Sequence, residues 1–398
     1  MSTKVCSKCR ADKPLDAFQQ RSRMSARDGR YGICRECANA YARGRYAKRA
    51  SQSGSDFETE ERTDPGIPVF DDLAINENVP DSHLVKGVST LVDGDGNIKA
   101  RWIKTVADNT NVDAILDAVR ELAVDLPRAE PVAAPELNDD DLLAVYPIGD
   151  AHFGMLAWGQ ECGEAFDLEI AERNLSRAVD HLTALAPPAH NALVINIGDF
   201  VHADGLGNTT TKGTRVDVDG RWPKIIRVSI RALRRTVDRC LERHQHVTLW
   251  NLRGNHDDLS AMVLAIALGQ FYEHEPRVTV CQSPEMFKWY RFGANLIGAT
   301  HGDKLKPQDM LGVMATDRAK DWGETKHRRF YCGHIHHEVV KELPGVTVEY
   351  LRTLAGSDAW HRGQGYRSGR DMRVDVLHRD WGLINRHIVG IEQIRRSA

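Results

Sequence analysis

The chain has 398 residues, 41% hydrophobic and 27% charged, with a formal charge of −3. That length suits two or three domains with a sizeable core. No apolar run approaches the roughly 18 residues of a membrane-spanning helix, and the opening MSTKVCSKCR lacks the apolar centre of a secretory signal, so composition argues against a helical membrane protein and for a soluble, cytoplasmic one.

The near-neutral total hides an asymmetry. Residues 1–50 carry 13 Lys/Arg against 4 Asp/Glu, a balance of +9, and residues 51–82 carry one Arg against 9 acids, a balance of −8. A basic head on an acidic tether suggests a module that meets a polyanion. Within the head, Cys6-x2-Cys9 and Cys34-x2-Cys37 are separated by 24 residues. Two such knuckles fit a structural tetrahedral zinc site, and in so short a module the metal would supply much of the folding energy. Arg35, Arg43, Arg45, Lys48 and Arg49, interleaved with Tyr41 and Tyr46, suit phosphate contact and base stacking; docking of a protein partner is the other use of such a finger. The stretch resembles zinc ribbons of small phage nuclease and recombination proteins, which implies a bacterial or phage-infected host cell. Cys162, Cys240, Cys281 and Cys332 are scattered and read as buried free thiols.

Residues 51–82 are polar, acidic and Pro/Gly-bearing, the composition of a linker. Residues 83–127 form a small region of their own. Alternation around Asp93-Gly94-Asp95-Gly96-Asn97 predicts a β-hairpin over 83–106, and Val112, Ile115, Leu116, Val119 and Leu122 predict an amphipathic helix over 111–126. The Asp-Gly-Asp-Gly string lacks the closing Glu of a calcium loop. A Pro/Ala-rich acidic linker covers 128–141.

From residue 142 to 398 the rhythm is that of one larger domain. LLAVYPIGD and NALVINIGD read as strands, with a helix around 167–186 between them. A basic helix at 222–244, the strand of VTLWNLRGNHD and a helix near 259–274 follow, then β-like runs at 277–282, 287–299, 337–352 and 372–390. Strand–helix alternation passing into mostly strands predicts an α/β layered domain with two packed sheets, its active residues where strands end in loops.

Five polar clusters follow those strands: Asp150-Ala151-His152, Gly198-Asp199 with His202, Gly254-Asn255-His256-Asp257, His301-Gly302-Asp303 and Gly333-His334-Ile335-His336. Their Asp, His and Asn side chains, without cysteine, suit hard or borderline divalent ions. If 333–337 were extended, His334 and His336 would share a face and His337 would point away.

The ordered set D-x-H, G-D, G-N-H, H-G and G-H-x-H resembles the calcineurin-like metallophosphoesterase superfamily. The resemblance spans residues 150–336, and five motifs in order are far more specific than any one. It implies a four-layer α/β/β/α sandwich and two divalent ions, manganese first, with iron, zinc or magnesium also compatible. It implies that Asp150, His152 and His336 hold one ion, that Asn255, His301 and His334 hold the other, and that Asp199 bridges them. His256 would act on the phosphate as a catalytic residue. The implied chemistry is attack of metal-activated hydroxide on a phosphate ester. His202 stands where protein phosphatases of the superfamily tend to carry an Asp, and Mre11/SbcD-like DNA nucleases often carry a His there; the resemblance implies that it joins the catalytic residues by orienting His256 or the phosphate. DAHFG and GNHD match those nucleases too. Against this, LRGNHD resembles the phosphatase string in which the Arg binds phosphate. Arg253 suits that role or an ion pair with a nearby acid.

The basic helix adds Lys224, Arg227, Arg231, Arg234, Arg235, Arg239 and Arg243, read chiefly as a solvated face. The loop HRGQGYRSGRD at 361–371 offers Arg362, Tyr366 and Arg367 as substrate contacts. The combined expectation is a dinuclear metal-dependent phosphodiesterase acting on nucleic acid, DNA before RNA. The alternative is a phosphoprotein or small-molecule phosphatase with the finger as docking device. The nuclease resemblance leaves room for a homodimer and an ATPase partner.

Overall fold

The computed structural model describes residues 3–6, 9, 11–14, 17–20, 30–34, 83–92, 98–107, 128–136 and 138–396. It divides into two compact units, Met1–Val79 and Pro80–Ala398. In the first, strand β1 (Thr3–Val5) pairs antiparallel with β2 (Asp12–Pro14), and the Cys6 amide donates to the Ala11 carbonyl at 2.9 Å to close the turn between them. Strand β3 (Phe18–Gln20) pairs with β4 (Arg30–Cys34). Cys6 is buried and Cys9 exposed. Cys34 ends β4, and Cys37 lies outside the described residues, as do the basic and aromatic positions 35–49 and the 51–82 linker.

In the second unit, β5 (His83–Val92) and β6 (Ile98–Ala107) pair antiparallel with bulges at Val85/Gly87 and Leu91/Val92. The turn residues 93–97 and the helix expected at 111–126 lie outside the described residues.

The larger body is built on two sheets. Strands β7 (Asp139–Ile148), β8 (Ala189–Asn196), β9 (His246–Asn251) and β10 (Val278–Cys281) run parallel, in register Val145↔Leu193 and Leu193↔Thr248. Antiparallel β16 (Asp371–His378) and β17 (Gly382–Gly390) extend this sheet on the β7 side, giving the order β10-β9-β8-β7-β16-β17. The second sheet has the order β11-β12-β13-β15-β14, from β11 (Lys288–Phe292), β12 (Asn295–Ala299), β13 (His327–Cys332), β14 (Val339–Leu343) and β15 (Val346–Tyr350). Within it β12, β13 and β15 are parallel.

Alternation along the strands sorts the side chains into three cores. Ala144, Tyr146 and Ile148 of β7 and Val194 of β8 pack with Leu175, Leu182, Leu233, Val237 and Leu264 of the helices Leu168–Leu185, Trp222–Leu241 and Asp258–Phe271. The intervening residues Leu143, Val145, Leu193 and Ile195 meet Ile297, Ala299 and Tyr331 between the sheets. Leu296, Phe330 and Val348, on the far face of the second sheet, are covered by Met310 and Met314 of the helix Pro307–Asp317. Three apolar interfaces separate four layers, α/β/β/α.

Three elements depart from the sequence reading. The helices Pro307–Asp317 and Ala319–Glu324 lack a strong apolar stripe; in the first only Met310 and Met314 are buried, and in the second nothing is. Strand β13 reads HRRFYC and buries only its last three residues, so no alternation announced it. Cys162, Cys240 and Cys332 are buried as expected, whereas Cys281, on the edge strand β10, is only half-buried. No helix among the described residues is long and apolar enough to cross a membrane.

Candidate metal centre

All five polar clusters sit just beyond the carboxyl ends of parallel strands: β7, β8 and β9 in one sheet, β12 and β13 in the other. Main-chain bonds tie these loops together. The His152 amide donates to the Asp199 carbonyl at 3.0 Å, and the Gly333 amide to the His301 carbonyl at 2.8 Å. Six non-glycine residues among those described have left-handed backbone, and five are Asp150 (φ 31°), His152 (46°), Asp199 (50°), His334 (72°) and His336 (55°). Each such residue costs on the order of 1–3 kcal/mol, and strain of this kind gathers where side chains must be aimed. The extended geometry expected for 333–337 is therefore replaced by a loop. Its left-handed residues, rather than strand alternation, bring His334 and His336 inward.

Two sets of donors converge. One atom each of Asp150, His152 and His336 lie within 4.8 Å of one another, as do atoms of Asp199, His301 and His334. In the second set, His301 Nδ1 donates to the Ile197 carbonyl at 3.0 Å. Its Nε2 then carries the lone pair of the neutral ring, yet it faces Asn255 Oδ1 at 3.1 Å and Asp199 Oδ2 at 3.2 Å. Three acceptors turned on one point need a proton or a cation between them. In a metal-free chain the proton takes that place: burial opposes it, but the Asp199 charge beside the ring lifts His301 to about 10. In the first set, the Nε2 atoms of His152 and His336 face each other at 3.1 Å. Burial, then neighbouring imidazoles, hold His152 well below the usual range and His336 at about 3. Neutral imidazoles beside buried carboxylates are what a divalent ion requires of its ligands. The donor set fits two such ions.

Glycines make room for the carboxylates. A Cβ at Gly333 would lie 2.5 Å from Asp150 Oδ2, and one at Gly254 would overlap Asp199 Oδ1. Both Asp150 oxygens accept the His334 amide, at 2.8 and 3.0 Å. Asp199 Oδ1 accepts the His256 amide at 2.7 Å.

His256 Nδ1 donates to the His202 carbonyl at 2.8 Å, which leaves Nε2 as its remaining ring nitrogen. The His202 ring stacks on His256 at 5.2 Å between centroids, and its Nδ1 meets His152 Nδ1 at 3.1 Å. His202 thus orients His256 through its main chain and His152 through its ring. Burial, then the His256 charge, keeps His202 at about 3.

Asp257 closes the GNHD motif. Its carboxylate accepts the amides of Asp199, Phe200, Val201 and Gly254 at 2.8–3.1 Å. Burial, then the Asp199 charge, raises its proton affinity; a protonated acid would set an O–H against an N–H, so the four donors fit the ionised form. Asp257 locks the second loop to the third. Asp204 accepts the amides of Leu259 and Ser260 at the start of the helix Asp258–Phe271. No spacing rule singles out either acid, because all but one of these amide partners, Gly254, are distant in sequence.

Asp199, His202, Asn255, His256, His334 and His336 line one open cleft of about 530 Å³. Tyr366 lines it; Arg362 and Arg367 do not, and Arg253 makes the ion pair that was the other use open to it. Arg253 forms a two-point ion pair with Asp258 (2.5 and 2.9 Å) and donates to the Pro284 carbonyl, so it ties the helix start to the neighbouring loop instead of entering the cleft. Arg362 packs over Gly163, and Arg367 donates to the carbonyls of Arg362 and Tyr366. Conversely His337, expected to face away, lines the cleft, with Nδ1 donating to the Ile335 carbonyl. Lys212, Arg215, Trp360 and His361 also line it and were not singled out from the sequence.

No protein-family model and no curated protein matches the chain. Among solved structures, similarity extends to an archaeal phosphodiesterase (12% identity, 63% of this chain and 99% of that one, TM-score 0.31). It extends also to zinc-complexed Vps29 from Entamoeba histolytica (13%, 62% and 98%, TM-score 0.26). A third is phosphopantetheinyl hydrolase from Mycobacterium tuberculosis (12%, 58% and 95%, TM-score 0.26). Likenesses this slight leave the chemistry to be argued from the chain's own residues.

Proposed function

We propose that this chain is a dinuclear metal-dependent phosphodiesterase that hydrolyses nucleic acid, with DNA as the first substrate to test. The observation that supports it is the convergence of lone pairs from Asp150, His152 and His336, and from Asp199, Asn255, His301 and His334, with Asp199, Asn255, His334 and His336 lining an open cleft. Asp199 is assigned the bridging place. When bound, two divalent ions would polarise a phosphoryl oxygen and lower the pKa of water between them.

The chain's own contribution is orientation and proton handling. The His202 carbonyl fixes the proton on His256 Nδ1, so Nε2 is the atom that passes a proton to the leaving oxygen. Asp257 holds the loop bearing His256 against the Asp199 loop. Buried apolar walls from the core between the sheets limit water behind the donors. We assign the N-terminal module to zinc through Cys6, Cys9, Cys34 and Cys37 and to nucleic-acid binding through its basic residues.

Manganese-supplemented protein is assayed on single-stranded DNA, duplex DNA, RNA, a phosphomonoester and a small phosphodiester. Manganese-dependent cleavage of a polynucleotide, lost in Asp199→Asn together with bound metal, is the expected result. Turnover of the phosphomonoester alone would move the chain to the phosphatases and recast residues 1–50 as a docking module.

A further inference from the structure

Beside the donors, one wall of the cleft is aromatic. The His361 ring stacks on His336 at 4.7 Å and 19°. Trp360 meets His361 edge-on at 4.9 Å, and Tyr366 lies against Trp360 at 5.9 Å and 29°. The rings run without a break from a proposed metal ligand to the rim, where Trp360 is 60% exposed and Tyr366 39%. The short helix Ala359–Gly363 carries Trp360 and His361, the Tyr366 amide just beyond it donates to the His361 carbonyl at 3.1 Å, and Asp358 fixes the helix by accepting from the amide and Nδ1 of His361, both at 2.7 Å.

No core explains rings so exposed. A planar, uncharged group laid on Trp360 would cover apolar surface now in water and gain stacking besides. A second segment, the loop between β8 and the helix Trp222–Leu241, brings Lys212 and Arg215 to the same cleft. Both are exposed, and neither has an ion-pair partner among the described residues. Asp217 and Asp358 line the cleft too, but Asp358 is engaged with His361. Metal donors, free cations and a stacking ring within one cleft match a phosphate backbone that carries an unpaired base. Paired bases keep their faces stacked on their neighbours and cannot offer one to Trp360.

Resting on the phosphodiesterase reading, we infer that the substrate is single-stranded, and that Trp360 with Tyr366 stacks an unpaired base next to the scissile phosphate. Stacking on an aromatic residue changes affinity by roughly 5- to 150-fold per base.

The test uses full-length, manganese-loaded protein and four substrates: a single-stranded oligonucleotide, an all-abasic strand of the same length, the duplex, and a small phosphodiester. Wild type should cleave the intact single strand with kcat/KM roughly 5- to 150-fold above the abasic strand and above the duplex. Trp360→Ala should bring the intact strand down towards the abasic rate, Tyr366→Ala should do so partially, and Trp360→Phe should restore the preference. Equal rates on intact and abasic strands by wild type, with the small diester still turned over, would overturn the inference and leave the phosphodiesterase reading standing. A preference that survives in Trp360→Ala would overturn the assignment to this wall. Manganese-independent or absent turnover of every substrate would remove the reading and the inference together.

Discussion

At the scale of single residues, main-chain carbonyls and amides decide which ring nitrogen or carboxylate oxygen is available. His256 gives one proton to the His202 carbonyl and keeps Nε2 for chemistry. His256→Ala should therefore lower turnover by about 10²- to 10⁴-fold, the usual worth of a general acid, while two equivalents of metal stay bound by elemental analysis. Loss of metal along with turnover would make His256 a ligand instead. Away from the cleft, His244 is buried with Nδ1 donating to the Ala189 carbonyl (2.8 Å) and Nε2 accepting from the Tyr146 hydroxyl (2.8 Å). Burial holds it at about 4. The unfolded chain takes up a proton near pH 6.5 that the folded ring refuses. Above 6.5 the group contributes no pH dependence, and as pH falls from 6.5 to 4 it costs stability, up to about 3 kcal/mol. Denaturant melts across that window should show a shallower acid slope in His244→Gln; an unchanged slope would place the acid sensitivity elsewhere.

At the scale of elements, the tight loops after the strands serve the site more directly than the strands do. Gly333 follows β13 and leaves space that Asp150 Oδ2 fills. Gly333→Ala should displace that carboxylate and cost one equivalent of bound metal, with the far-ultraviolet circular dichroism spectrum preserved, since the added methyl group presses hardest on Asp150 Oδ2 (2.5 Å) and meets Ile197 of the core between the sheets less closely (3.1 Å). Full metal loading would show that the loop can shift to admit a methyl group. The helix Trp222–Leu241 illustrates the opposite case, a charged face with local partners. Arg231 pairs with Glu172, Arg235 and Arg239 pair with Asp180, and the Arg234 guanidinium lies 3.5 Å over the Phe271 ring. These arginines join neighbouring helices, and exposed pairs of this sort are worth about 0–1 kcal/mol each.

At the scale of the whole molecule, two compact units share the work on the proposed reading, chemistry in Pro80–Ala398 and capture by the basic head in Met1–Val79. Removing residues 1–50 should take away one equivalent of zinc. It should also weaken nucleic-acid binding and flatten its dependence on salt, because fewer counterions are released when fewer phosphates are neutralised. Identical binding isotherms at 50 and 200 mM salt for both forms would turn the head into a protein-docking module. Turnover of a small diester by the shortened chain separates a capture defect from a catalytic one.

The layered body was legible in the sequence because buried strands and amphipathic helices advertise themselves by period: β7, β8 and the helices Leu168–Leu185, Trp222–Leu241 and Asp258–Phe271 all stand within a few residues of where apolar spacing put them. The candidate metal donors were legible as a cluster because each lies within a few residues of a strand end, in a short motif with its own glycine. What periodicity could not show was β13 and the helix Pro307–Asp317, whose few buried positions fall below any pattern, and the direction of side chains in irregular loops. His337 turned inward, and Arg253, Arg362 and Arg367 found partners outside the cleft, because left-handed backbone and distant carbonyls or carboxylates set those directions. The sequence by itself determined which elements form and which donors exist. Only the tertiary structure decided that Asp257, after β9, would brace the loop after β8, and that Trp360 would stand at the rim beside His361 stacked on His336, since each contact joins chain segments that are remote in sequence.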